Sequence, residues 1–190
     1  MDSGLAAVLG AAVGAIGTGS AAIAAALLGR SQTRLQVQAE HHRILRDARR
    51  VAYARLAEAL AASSLAVQQC ERTLLIIHTV VPVPETDWGE HLLRAEEEFA
   101  EASRLHAAIK GPQALVSIEG PEEVSLSAAK ASSDIVDQRH AVIQVIRVMA
   151  AGGRADDLLA GIEGLRAEAI RSQHAYQKIA SRFLSNLDRT

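Results

Sequence analysis

Seven histidines are the first candidates for chemistry in this chain: His41, His42, His78, His91, His106, His140 and His174. In a helical protein, histidine reaches a metal most readily as part of Glu-x-x-His, because residues three apart share a helix face and converge on one ion. Reading back three positions gives Gln38, Ala39, Leu75, Trp88, Ser103, Asp137 and Arg171. Only Asp137 with His140 places a carboxylate at that spacing, so no metal site is expected. His41 and His42 are adjacent and point in different directions on a helix, which makes them surface residues. His106 instead falls on an apolar stripe, and a hydrogen-bonded interior histidine is the simplest account of it. His106 with the mid-helix pair Gln138 and Arg139 is the whole support for a ligand-sensing core.

Other constellations are equally sparse. Glu96, Glu97, Glu98 and Glu101 form an acidic cluster, and acid–base catalysis would need a partner group in a cleft. The cluster reads as the solvated side of a helix, away from Trp88 and Leu92. Cys70 is the single cysteine, which excludes an intramolecular disulfide and suits a small buried apolar residue. The run Gly10 to Ser20 is rich in glycine, but a phosphate-binding loop requires Gly-Lys-Ser/Thr after a strand, and the first lysine is Lys110. Gly17, Gly19 and Ala22 match G-x-G-x-x-A, yet nothing around them supplies a βαβ unit. Serine, histidine and aspartate occur in no nucleophile-elbow context. The reading is of a protein without catalysis, without cofactor and without metal.

The elements around these residues are helical. Apolar residues make up 49% of the chain and aromatics only 3%, and small side chains with few rings suit close packing of helices. Ile76 to Val81 is the one strand-like run. The first helix has a face of Leu45, Ala48, Ala52, Leu56, Ala59, Ser63, Ala66, Cys70, Leu74 and Ile77, and Pro82 and Pro84 end it. Asp87 with Glu90 resembles a capping box for the second, whose stripe is Trp88, Leu92, Ala95, Phe99, Ala102, His106 and Ile109. Gly111-Pro112 stops that helix, and Gly120-Pro121-Glu122-Glu123 starts the third. The third carries Val124, Ala128, Ala131, Ile135, Val142, Ile146 and Met149, and closes at Gly152-Gly153. Asp156 or Asp157 caps the fourth, with Leu158, Ile162, Leu165, Ala169, Ser172, Tyr176, Ile179, Phe183 and Leu187 on one face. Such stripes joined by short connections predict an all-α fold whose residues 45–190 form an antiparallel four-helix bundle.

Gly4 to Gly29 contain 26 consecutive residues without a charge. At ~1.5 Å per residue they reach about 39 Å, enough to cross a hydrocarbon core of about 30 Å with some tilt. Residues 4–29 are therefore expected to be a single transmembrane helix. A cleaved signal peptide is the competing reading, because Ala24-Ala25-Ala26 resembles a cleavage site, but that reading wants a basic leader and the only early charged side chain is Asp2. Basic residues lie on the C-terminal flank: residues 31–55 hold six arginines against Glu40 and Asp47. The positive-inside rule then puts the N-terminus outside and residues 30–190 in the cytoplasm. Ser31 to Arg43 are polar and read as a stalk, residues 30–44, that carries the bundle about 20 Å from the membrane. A small basic surplus beside an apolar segment points to lipid headgroups; nucleic acid would want more positive charge and exposed aromatics. Gly10 and Gly14 form G-x-x-x-G with Gly17 close to the same face, the spacing by which membrane helices associate, so a homo-oligomer through Gly10, Gly14 and Gly17 is a possible partner arrangement.

The Gly/Ala-rich N-terminal span, the arginine-rich helix RILRDARRVAYARLAEAL and the G-P-x-x-V turn at Gly120 to Val124 together resemble uncharacterised small membrane proteins of actinobacteria. The resemblance implies a transmembrane helix followed by a cytoplasmic helical bundle, and it implies no activity. The function expected from sequence is a membrane-tethered interaction or scaffold module that binds a cytoplasmic protein. A self-assembling membrane effector or pore former, built through the glycine stripe, is the alternative.

Overall fold

The computed structural model describes the backbone of residues 2–79 and 88–187, and the side chains of residues 32–79 and 89–186. Five helices follow in order: α1 Asp2–Thr79, α2 Trp88–Ala107, α3 Lys110–Glu119, α4 Glu122–Ala150 and α5 Asp156–Leu187. The protein is all-helical, with no strand among the described residues. Ile76 to Thr79, the start of the strand-like run, are the last turn of α1, because an apolar run this short takes its conformation from the helix it continues. Among the described residues no helix is long and apolar enough to cross a membrane. The expected span 4–29, with Gly10, Gly14 and Gly17, lies outside the residues whose side chains are described, as do Pro82, Pro84 and Asp87.

Contacts divide the chain into two units, Met1–Leu45 and Arg46–Thr190. In the first unit the side chains of residues 32–44 are all exposed, His41 and His42 among them. The second unit holds the core. Leu56, Leu60, Val67, Cys70, Leu74 and Ile77 of α1 are buried together with Ala95 and Ala102 of α2, Val116 of α3, and Ile162, Ala169 and Tyr176 of α5. From α4 come Val124, Ala128, Ala131, Ile135, Val142, Ile146 and Met149, every position of its stripe. α4 packs on α2, α3 and α5, and its Gln138 reaches α1.

Local chemistry sets the joints. α4 ends in a left-handed Gly152 at φ 73°. The Gly152 N–H donates to Met149 O and the Gly153 N–H to Val148 O, at 3.0 and 2.9 Å, which satisfies the last carbonyls in a Schellman arrangement. α4 begins after Pro121, extended at ψ 160°, with Glu122 and Glu123 in its first turn, where the helix dipole favours acids.

Three expectations need correction. Pro112 does not introduce a loop: α2 ends at Ala107, and Lys110-Gly111-Pro112 are the first residues of a separate helix, α3. A helix's first residues have no intrahelical acceptor for their N–H, so proline costs nothing there. In α5 the apolar face starts one residue later than the stripe implied, since Leu158 is 38% exposed and Leu159 only 9%. Ala48 is likewise exposed, one turn before the buried Ala52.

Candidate functional site

Two groups of polar side chains stand out in the second unit, one in its core and one at its surface. Glu71 lies between Val67 and Leu74 on the buried side of α1 and is 2% exposed. The fully buried Gln138 of α4 donates from Nε2 to Glu71 Oε1 at 2.6 Å. Arg166 of α5 brings Nη1 to 3.8 Å from Glu71 Oε2, and its Nη2 lies 3.8 Å from Glu163 Oε1. Both separations exceed hydrogen-bond length, and Glu71 Oε2 is closed to solvent without a hydrogen-bond partner. Burial pushes the Glu71 carboxyl above its ordinary range, while the Gln138 hydrogen bond and the Arg166 charge pull it back. Beside these groups lies a cavity of about 240 Å³ lined by Glu71, Leu75, Leu159, Ile162, Glu163 and Arg166.

A second cluster sits on α4 and α5. Lys130 Nζ donates to the buried Asp134 at 2.6 Å and to the exposed Glu168 at 3.0 Å. These bonds hold the ammonium above the usual lysine range. The Lys130–Glu168 contact links α4 to α5, but both side chains are largely exposed, so it adds little to stability.

The residues singled out in the sequence disperse. Gln138 turns toward Glu71. Burial, and then the neighbouring Arg139, Lys110 and His140 charges, lower the pKa of the half-buried His106. Arg139 thus stands within electrostatic reach of His106, while its neighbour Gln138 is engaged with Glu71. Asp137 and His140 are exposed, and no group of three metal-ligating side chains occurs among the described residues. The acidic cluster divides: Glu96, Glu97 and Glu101 are exposed, whereas Glu98 is half-buried and accepts a 2.7 Å hydrogen bond from Thr73. Cys70 Sγ donates to Ala95 O at 3.3 Å. Burial, with Glu98 and Glu71 nearby, pushes its thiol up to about 12, so it is inert as a nucleophile.

Sequence reasoning missed Glu71 and Arg166. Each carried a readable signal, because a charged residue occupied a core-facing position: Glu71 four after Val67 and three before Leu74, Arg166 four after Ile162 and three before Ala169.

Compared with protein families, with curated proteins and with solved structures, the chain finds no match in any of the three.

Proposed function

We propose that the chain is a membrane-tethered helical interaction or scaffold module. Residues 4–29 cross the bilayer once with the N-terminus outside. Residues 45–190 act in the cytoplasm as an antiparallel four-helix bundle, with the short α3 in the connection between α2 and α4, and dock a protein partner. The tether is supported by 26 uncharged residues followed by an arginine-rich flank, the pattern that sets insertion and orientation.

The observation that carries the docking role is the outer face of α1 within the second unit. Val51, Leu65 and Ile76 are 49%, 61% and 53% exposed. At about 100° per residue they fall within roughly 40° of one another, on the side away from Leu56, Leu60 and Leu74. Lone exposed apolar residues are ordinary, but this set is aligned over about 38 Å, the length that an amphipathic partner helix covers in several turns. Arg55 and Arg72 flank the strip and Glu58 lies on it, all three exposed, so the occupant is an amphipathic helix of another protein that sets acidic residues against the two arginines and a basic one against Glu58.

Affinity capture from native membranes with the full chain tests this reading. A Leu65→Asp/Ile76→Asp pair should lose a protein that the parent chain recovers, while Leu93→Asp, an exposed apolar residue on α2, should retain it. Equal recovery by all three chains would refute the docking face. The second reading, a self-assembling pore former, rests on Gly10, Gly14 and Gly17, and a large discrete ring in size exclusion would favour it.

A further inference from the structure

The cavity beside Glu71 has features of a ligand site. Two aliphatic residues of α5, Leu159 and Ile162, and Leu75 of α1 supply its apolar wall, and Glu71, Glu163 and Arg166 supply its charges. We propose that this cavity binds a small organic monocation, an alkylammonium of a few carbons. Its alkyl part lies on Leu75, Leu159 and Ile162, and its N–H donors are shared by Glu71 and Glu163.

Three independent observations converge on that ligand. First, Glu71 is 2% exposed, and its Oε2 has no donor while Gln138 serves Oε1. Buried carboxylate oxygens are normally hydrogen-bonded, so an acceptor stands ready beside the cavity. Second, Arg166 stays 3.8 Å from both carboxylates, a separation at which neither pair is a hydrogen bond. Its side chain is 34% exposed, so it can turn outward and let a smaller cation approach Oε2. Third, the cavity lining carries two carboxylates, buried Glu71 and the 81% exposed Glu163, against one guanidinium, an excess of negative charge that favours a cation over an anion whether Arg166 points in or out. Size narrows the class further, since about 240 Å³ lies below the roughly 300–1,000 Å³ of pockets for drug-sized molecules.

Calorimetric titration of the full-length chain in nonionic detergent tests the proposal, with n-butylammonium as the probe and n-butanol and butyrate as its neutral and anionic counterparts. Saturable binding of n-butylammonium, at least tenfold tighter than either counterpart, is expected. Glu71→Gln, which keeps the shape and removes the charge, should weaken that binding at least tenfold with an unchanged circular dichroism spectrum. Ile162→Phe, which fills the cavity and touches no charge, should also abolish it. If either variant fails to fold, the selectivity of the parent chain among the three probes decides. Absence of saturable n-butylammonium binding, equal binding of butyrate, or undiminished affinity in folded Glu71→Gln would overturn the site.

Discussion

Replacing Glu71 by Gln should stabilise the protein at neutral pH, and the gain should fade in acid. The carboxylate is 2% exposed, and removing an ion from water costs several kcal/mol even after relaxation. Against that cost stand one charge-assisted hydrogen bond from Gln138 and a guanidinium at 3.8 Å. Glutamine keeps an acceptor for Gln138 Nε2, giving up about 1 kcal/mol of charge assistance. Losing the loose, partly exposed Arg166 pair costs under about 1 kcal/mol. In return its amide can donate to Gln138 Oε1, which has no partner, a bond worth about 1 kcal/mol. The balance is a gain of about 1–2 kcal/mol at pH 7, dominated by the relieved desolvation. For a domain of this size that raises the melting temperature by roughly 2–8 °C. The pH dependence follows from linkage. A carboxyl whose folded pKa is raised above its ordinary 4.5 favours the folded state when protonated, and that contribution is lost as pH rises through the folded value. Parent and variant should therefore converge below about pH 4 and separate above it. Urea denaturation of both chains from pH 3.5 to 8 measures the gap. A variant at least 1 kcal/mol less stable than the parent at pH 7, or a gap independent of pH, would show that Arg166 outweighs burial and refute the reasoning.

Three further outcomes follow from the packing. A Cβ on Gly120 would stand 2.7 Å from Val116 O and 3.0 Å from the Tyr53 hydroxyl, so Gly120→Ala should destabilise by about 1–3 kcal/mol in denaturant melts. Tyr176→Phe removes a buried 3.2 Å hydrogen bond to Tyr53 O and should cost about 1 kcal/mol, read in the same assay. With its thiol near 12, Cys70 should resist a thiol-reactive dye at pH 8 and react only when urea unfolds the chain; prompt reaction in native buffer would contradict its burial.

Helix content was legible because it is a local property. The α4 stripe from Val124 to Met149 repeats at the helical period, and all seven of its positions are buried. Gly152-Gly153 marks the end of α4 because a left-handed cap needs a residue without a Cβ. Where the reading slipped, two local rules competed. Pro112 both breaks helices and suits their first turn, and only the hydrogen bond from Gln113 N to Ile109 O shows which role it plays. Leu158 and Leu159 are about 100° apart on the helix, and equal hydrophobicity leaves the choice between them to the neighbours.

The amino-acid sequence by itself determined the all-helical class and most core faces, since periodicity and turn chemistry act within a few residues of one another. The grouping of Glu71, Gln138 and Arg166 was decided only in three dimensions. Glu71 and Gln138 are 67 positions apart, and no periodic pattern relates the three. Helix pairing brought them together, and burial then made their charges matter by removing the water that would have screened them.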